Sequence, residues 1–172
     1  MNTIKNTPLA LVTGASRGIG RAIAETLAGA GYDLVLTCSC TLPELSGLAI
    51  SLEEKYGIHC TALAADAADP SAIEKIFASL DHLDVLVNNA GISYIGLLTD
   101  MSVEEWQSVI NTNLSSCFYT SRLAIPLMLQ KHSGRIINIS SVWGNVGASM
   151  EVAYSASKGG VNSFTKALAK EL

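Results

Sequence analysis

The sequence lacks any apolar run long enough to cross a membrane. Hydrophobic residues make up 49% of its 172 positions, but Gly, Asp, Asn or Ser interrupts each apolar stretch well before the ~20 residues that a spanning helix requires. The N-terminus has no long apolar segment followed by a small-residue cleavage site, so it does not resemble a signal peptide. We therefore expect a soluble, cytoplasmic protein with no membrane partner.

Charge is also scarce. Charged residues account for 15% of the chain, the formal net charge is -4, and no cluster of Lys and Arg forms a basic patch. Proteins that bind nucleic acid usually gain affinity from such a patch, through contacts with phosphates. The composition therefore argues against nucleic acid as a partner.

Cysteine is infrequent and is not arranged for cross-linking or metal binding. The thiols belong to Cys38, Cys40, Cys60 and Cys117. No pair has the C-x-x-C spacing, and no secretory context favours disulfides. His59 beside Cys60 could suggest a soft-metal site, but this alternation is typical of a packed strand. We expect reduced thiols and no metal.

The chain does contain a regular alternation of short β-branched runs and longer segments of helical period, without internal repeats. This order predicts a parallel sheet covered by helices. Near-continuous apolar strands such as Asp-Val-Leu-Val suit burial on both faces. The expected fold is a single Rossmann-like α/β domain over residues 1–172, with a doubly wound parallel sheet in three αβα layers. The predicted strands, each followed by a helix, are 9–13, 33–37, 59–64, 85–88 and 135–140.

Prolines and the last segment refine this prediction. Pro43 and Pro70 fall near expected helix starts, where a missing N–H costs little. Pro126 is expected to kink or break the long helical stretch 103–130. The final helical segment, 152–172, stops without a glycine cap and without a further strand to extend the sheet. We expect a domain that is truncated at its C-terminus.

The pattern Tyr-Ser-Ala-Ser-Lys is the strongest candidate for catalysis. Tyr154 and Lys158 are one helical turn apart, so their side chains share a helix face. An ammonium near a phenol favours the phenolate and lowers the pKa of the phenol. Ser141, at the end of an apolar run, can hydrogen-bond a substrate oxygen as the proton moves. The alternative is a chance pairing of a half-exposed tyrosine with a solvated lysine.

A glycine-rich turn joins the first strand to the first helix. Its spacing, G-x-x-x-G-x-G, lets the backbone approach a diphosphate, while the helix N-terminus attracts the negative charge. Such turns also occur simply as tight connections, but the strand before and the helix after favour nucleotide binding. The predicted cofactor-binding residues here are Gly14, Ser16, Arg17, Gly18, Ile19 and Gly20.

The end of the second strand distinguishes between cofactors. A carboxylate there would bind the ribose hydroxyls of NAD and repel a 2′-phosphate. The residues present are Cys38, Ser39 and Cys40. Ser39 can donate a hydrogen bond, and Arg17 supplies a cation suited to phosphate. NADP is therefore favoured over NAD, unless Arg17 is an ordinary exposed arginine.

Two further loops are expected to line the cofactor site. Asp66 and Ala67 follow the third strand, and Asp66 could accept a hydrogen bond from the adenine amino group or cap the following helix. Asn88, Ala90 and Gly91 close the fourth strand, where a doubly wound sheet opens its ligand crevice. These positions complete the predicted cofactor set, together with Tyr154 and Lys158.

In these motifs the chain resembles the short-chain dehydrogenase/reductase family, in particular the compact bacterial branch that includes 3-oxoacyl-acyl-carrier-protein reductases of fatty acid biosynthesis. The resemblance rests on Thr-Gly-Ala-Ser-Arg-Gly-Ile-Gly, Asn-Asn-Ala-Gly, Asn-Thr-Asn-Leu-Ser-Ser, the serine of Ile-Ser-Ser-Val, and Tyr-Ser-Ala-Ser-Lys. These occur in the family's order over the whole chain.

The resemblance implies a role for each catalytic residue. Tyr154 would be the general acid of carbonyl reduction, Ser141 would hold the substrate oxygen, and Lys158 would lower the pKa of the tyrosine while binding the nicotinamide ribose. Asn113 would complete the set, with its side chain orienting a water joined to Lys158. From the residues alone, Asn113 is only a polar residue inside a helix.

The resemblance also implies that the last two strands of the family's fold, a substrate-covering loop and part of the oligomer interface are missing. In the full-length form it implies a homodimer or homotetramer. The fifth strand would become an exposed edge.

The leading hypothesis is an NADP-dependent oxidoreductase that interconverts a ketone and a secondary alcohol, on a small-molecule or acyl-carrier-bound carbonyl substrate. Sugar, polyol and small-ketone reduction remain open. The rival hypothesis is a catalytically incomplete nucleotide-binding fragment or interaction subunit. A flavodoxin-like regulatory module is disfavoured, because it has no need of Ser, Tyr and Lys at these spacings.

Overall fold

The computed structural model describes residues 7–172, which form one parallel sheet with helices on both faces. All neighbouring strands pair in parallel, in the order β3-β2-β1-β4-β5. This arrangement confirms the predicted doubly wound, Rossmann-like fold. The strands are β1 Leu9–Val12, β2 Asp33–Cys38, β3 Cys60–Ala64, β4 Val85–Asn88 and β5 Arg135–Asn138.

Seven α-helices follow within the described residues. The prediction had one helix after each strand, but two helices follow β4 and two follow β5. In addition, Leu98–Asp100 forms a 3-10 turn. The helices are α1 Gly18–Gly29, α2 Leu42–Tyr56, α3 Pro70–Phe77, α4 Val103–Ile110, α5 Ser116–Gln130, α6 Trp143–Val146 and α7 Val152–Glu171.

Alternating strand residues build two cores, one on each face of the sheet. Ala10 and Val12 face the side of α1 and α2. Leu11 between them faces the opposite side, where α3 and α5 pack. This is the period-2 alternation of a strand that is covered on both faces. The two cores produce the predicted three layers.

The long helical stretch is interrupted at a different place from the predicted one. α5 continues through Pro126 without a break. The regular α-helix instead gives way to a π-helical segment at Asn111–Ser115. Single π turns inside helices occur frequently at functional sites. The interruption therefore lies beside Asn113, about four helical turns before Pro126.

The strand order places an opening beside the central strand. From β1 the chain moves outward through β2 and β3, and then returns to the other side of β1 with β4 and β5. The loops that leave β1 and β4 therefore diverge, and ligands of such folds bind at this point outside the carboxyl ends of the strands. In residues 7–172, none of the helices combines the length and apolar character needed to cross a membrane.

Candidate active site

An open cleft of about 340 Å³ lies at the carboxyl ends of the strands. The loops after β1, β2, β3 and β4 form its walls. Its lining comes from residues within 14–20, 37–41, 65–67 and 89–92, together with Thr112.

Two glycines of the first loop are required by close backbone approach. Gly14 has a φ of +63°, and a Cβ there would lie 2.9 Å from the Cα of Ala90. A Cβ on Gly20 would lie 2.3 Å from the carbonyl oxygen of Gly14. Any side chain at either position would collide with this backbone, so the observed loop conformation requires glycine at both. Gly18, also at positive φ, turns the chain into α1 and is not among the residues that line the cleft.

Asn89 ties the loop after β4 to the glycine-rich loop. Its Nδ2 donates to the carbonyl oxygens of Thr13, at 3.0 Å, and Gly14, at 2.9 Å. In return the Thr13 hydroxyl accepts from the backbone N–H groups of Asn89 and Ala90. The two walls of the cleft are thus fixed to each other. Sequence reasoning missed Asn89, although an amide directly after a strand is a signal for such a bond.

The prediction that Asn88 contacts the cofactor is not supported by its position. Asn88 is buried, its Nδ2 donates to Oδ1 of Asn138 at 2.8 Å, and its Oδ1 accepts from the hydroxyl of Thr120 at 2.7 Å. The side chain faces α5 because it is the last residue of β4 and follows the strand's alternation. Ala90 and Gly91, one and two residues further into the loop, do line the cleft.

Arg17, Ser39 and Cys40 all line the cleft. Arg17 is the N-cap of α1, and all three residues are exposed and line the opening. Among the described residues no carboxylate pairs with Arg17. The end of β2 contributes no acidic group to the cleft, as the sequence predicted.

Asp66 and Ala67 lie on the adjacent wall. The Asp66 side chain accepts from the N–H of Ala68 at 2.9 Å, closing a turn. The cap of α3 is Asp69 instead, which accepts from the N–H of Ser71. Asp66 is therefore left at the cleft surface, available to a ligand.

Tyr154 and Lys158 face each other on α7. The Nζ of Lys158 lies 5.8 Å from the ring centre of Tyr154 and donates to the carbonyl oxygen of Ile139 at 2.7 Å. Lys158 is only 4% exposed. Burial lowers the pKa of its ammonium group, and the nearby Cys117 partly opposes that effect. The lysine amino group therefore lies in a largely dry site, and burial disfavours its charged form.

Gly91 connects this pair to the cleft. A Cβ built on Gly91 would lie 3.5 Å from Nζ of Lys158 and 3.4 Å from Oδ1 of Asn113. Since Gly91 lines the cleft, Lys158 and Asn113 stand directly behind its wall. Tyr154 extends from the same helix turn.

Ser141 belongs to a segment that runs along α7. The hydroxyl of Ser140 donates to the carbonyl oxygen of Lys158 at 3.1 Å, and the N–H of Ala148 donates to the hydroxyl of Ser155 at 3.1 Å. Ser141 itself is half-buried, and its oxygen accepts from the N–H of Trp143. Its own hydroxyl proton stays available for a further acceptor.

The Asn113 side chain bonds the loop after β4. It is 1% exposed. Its Oδ1 accepts from the N–H of Ile92 at 2.8 Å, while Nδ2 donates to the carbonyl oxygen of Ile92 and to the hydroxyl of Ser157, both at 2.9 Å. Both amide hydrogens are therefore taken by protein groups. The side chain therefore anchors the loop after β4, while its part in directing a water to Lys158 stays a prediction.

Comparisons with known proteins agree with this architecture. A family model described as short chain dehydrogenase matches residues 8–172. The 3-oxoacyl-[acyl-carrier-protein] reductase FabG of Escherichia coli (strain K12) is 45% identical over 168 residues, covering 95% of this chain and 67% of that protein.

Solved structures give the same result. A short-chain dehydrogenase from Sphingobium yanoikuyae in complex with NADPH has a TM-score of 0.90 and 32% identity, over 96% of this chain and 65% of that one. L-sorbose reductase from Gluconobacter frateurii, complexed with NADPH and L-sorbose, has a TM-score of 0.92 and 31% identity. The match covers 96% of this chain and 64% of that one. The chain spans about two thirds of the length of these relatives. On the match of the family model and the shared fold, the chain belongs to the short chain dehydrogenase family.

Proposed function

We propose that the chain is an NADP-dependent oxidoreductase that interconverts a ketone and a secondary alcohol. The observation that carries the proposal is the position of the buried Lys158 beside the ring of Tyr154, directly behind the cleft wall at Gly91. Perturbed, buried ionisable groups at a cleft are typical of catalytic sites. Membership of a dehydrogenase family supports the same reaction class.

The residues of the cleft fit the cofactor. Gly14 and Gly20 let the loop pack closely against the backbone of Ala90 and of Gly14 itself, and the N-terminus of α1 offers N–H groups to a diphosphate. Arg17 and Ser39 lie where an extra phosphate on the ribose would need a cation and a donor. The NADPH complexes of two relatives support NADP as the cofactor, with NAD the weaker candidate. Asp66 is proposed to face the adenine.

The proposed mechanism assigns one step to each side chain. When held by the residues of the cleft, NADPH would supply the hydride that reduces the carbonyl carbon and would itself be oxidised to NADP+. Tyr154 gives its hydroxyl proton to the carbonyl oxygen, so that a secondary alcohol and a phenolate result. Ser141 donates a hydrogen bond to the same oxygen, and the Lys158 ammonium stabilises the phenolate. Asn113 keeps the loop at Ile92 in place.

The finer proposal for the substrate is a 3-oxoacyl thioester carried by an acyl carrier protein. It is supported by the 45% identity to the Escherichia coli reductase, and it would place the chain in fatty acid biosynthesis. A sugar ketone is the second candidate, because L-sorbose reductase has a similar fold. Lys131, before β5, does not decide between them, since it pairs with Asp84 at the amino end of β4, opposite the cleft.

The rival proposal is a nucleotide-binding fragment without turnover. It is favoured by the chain's length, about two thirds of that of its relatives. Steady NADPH oxidation by the purified 172-residue chain with acetoacetyl thioesters, sugar ketones or small ketones is expected if the leading proposal is correct. NADPH binding, followed by fluorescence, without oxidation of the cofactor by any ketone would favour the fragment.

We also infer that this chain, in a protein of its relatives' length, forms a cytoplasmic homodimer or homotetramer. Exposed apolar side chains on α5, such as Phe118 and Leu129, support association, since large apolar groups at the surface often mark interfaces. Light scattering coupled to size exclusion would give the mass, and a purely monomeric full-length protein would contradict this inference.

A further inference from the structure

Ser157 lies between the two proposed catalytic residues of α7, yet it cannot reach a substrate. Its exposure is 0%, and it points into the protein, toward the π-helical segment. A buried serine inside a helix needs a partner for its hydroxyl group. The identity of those partners gives Ser157 a role beyond helix formation.

The Ser157 hydroxyl makes two hydrogen bonds at once. It donates to the carbonyl oxygen of Tyr154 at 2.7 Å and accepts from Nδ2 of Asn113 at 2.9 Å. The same Asn113 amide hydrogen-bonds the backbone N–H and the carbonyl oxygen of Ile92. One continuous chain of hydrogen bonds therefore runs from the loop after β4, through the π-helical segment, to the turn of α7 that carries Tyr154.

We propose that Ser157 is a positioning residue that fixes the Tyr154 turn relative to the cleft wall formed by Gly91 and Ile92. This inference rests on the proposed function for its catalytic meaning. Without the hydroxyl, one N–H of the buried Asn113 amide has no acceptor, and a buried unpaired donor is unfavourable. Asn113 then holds Ile92 less firmly, and the distance between the wall and the tyrosine is no longer fixed.

The first test needs no catalysis. Hydrogen exchange of the backbone amides in residues 89–94 is compared between the purified chain and Ser157→Ala, followed by mass spectrometry. Because the Ile92 N–H is bonded to Asn113, its exchange is expected to accelerate about tenfold, the effect of losing roughly one buried hydrogen bond. Unchanged exchange at 89–94 would overturn the proposal.

Two matched variants separate positioning from general destabilisation. Ser163→Ala makes the same change at an exposed position of α7 and should leave the exchange of 89–94 unaltered. Thr165→Val removes a hydrogen bond between α7 and Asn138 of β5, away from the cleft. If Thr165→Val accelerates hydrogen exchange in residues 89–94 as much as Ser157→Ala does, the effect is a general loss of stability and the proposal is wrong.

A conservative variant and the reaction complete the test. Ser157→Cys keeps a weaker donor and acceptor, so its exchange rate should fall between wild type and Ser157→Ala; if Ser157→Ala does not fold, this comparison decides. In a chain that turns over, Ser157→Ala should lower kcat and shift the pH profile, with KM changed less than about twofold. A wild-type chain without turnover would contradict the proposed function, while the exchange data still decide the role of Ser157.

Discussion

The amino group of Lys158 lies where solvent barely reaches it. Only 4% of the residue is exposed, and its Nζ donates to the carbonyl oxygen of Ile139. Taking an ammonium group out of water is unfavourable by several kcal/mol even after relaxation, and one hydrogen bond returns only about 1–3 kcal/mol. Lys158 therefore lowers the stability of the fold, as expected of a residue whose role is catalytic.

Lys158→Met is therefore expected to abolish turnover and to stabilise the fold at pH 7. A gain of ~1 kcal/mol corresponds to a rise in Tm of about 2–4 °C for a chain of this size. Because burial lowers the pKa of Lys158 from 10.5, the wild type loses stability as pH falls below 10.5 toward the lowered value. The advantage of the variant in thermal melts should therefore shrink as pH is raised. A variant that melts lower than wild type at pH 7 would contradict this view.

Arg17 should determine the choice of cofactor. In Arg17→Ala, the affinity for NADPH is expected to fall about 10- to 100-fold, since a charge-assisted hydrogen bond contributes about 1.5–3 kcal/mol. NADH binding should change little. Fluorescence titrations with both cofactors measure the ratio, and Arg21→Ala, which removes an exposed pair with Glu25 on the same helix, is the matched control. Equal losses for NADPH and NADH would refute this role.

At the scale of elements, Asp84 joins three strands at their amino ends, on the side of the sheet opposite the cleft. Its Oδ2 accepts from the N–H of Leu9 at 2.9 Å, and its Oδ1 pairs with Lys131 after α5. Its backbone bonds to Leu9 and to Arg135. One residue thus aligns the beginnings of β1, β4 and β5, and the alignment extends to the loops that leave those strands at the cleft.

Asp84→Asn should lower the free energy of unfolding by about 1–3 kcal/mol at pH 7. Burial raises the pKa of Asp84, but the Lys131 pair and the Leu9 N–H outweigh it, so the net pKa lies below the ordinary 3.8. The Asp84 carboxylate therefore stabilises the fold at pH values above 3.8. This stabilisation is lost as the pH falls through the lowered pKa of Asp84. In urea titrations the variant and wild type should therefore converge in acid. Glu74→Gln, in an exposed pair with Arg122, should have almost no effect; a similar loss there would count against a specific role for Asp84.

The elements also show where sequence reasoning ends. Strand alternation and the motif order predicted all five strands, because burial patterns and glycine spacing depend on residues that are close together in the sequence. The π-helical segment at Asn111–Ser115 was not predicted. Within it, Asn113 bonds a loop 21 residues earlier, a contact that no local pattern encodes. For a similar reason the sequence did not show that Asn88 bonds Thr120 while Asn89 lines the cleft, because the point at which β4 ends decides which amide faces the cleft.

In the whole molecule, the reversal of strand order beside β1 brings distant segments to one place. The loops after β1 and β2 line the cleft, while Ser141 lies in the segment after β5 and Tyr154 and Lys158 lie on α7. The sequence predicts that these groups meet at the carboxyl ends of the strands, since parallel strands end on the same side of a sheet. It could not predict that Ser157 and Asn113 connect the two regions, because both bonds depend on how α7 packs against the π-helical segment.

The central claim is that Tyr154 gives the proton in carbonyl reduction. It is tested most directly by comparing carbonyl-dependent NADPH oxidation in wild type, Tyr154→Phe, and Tyr119→Phe, whose ring packs with the core at α3 and α5. We expect Tyr154→Phe to lose at least ~100-fold in kcat while binding NADPH as wild type does, and Tyr119→Phe to keep its rate. Oxidation by Tyr154→Phe at the wild-type rate would contradict the account.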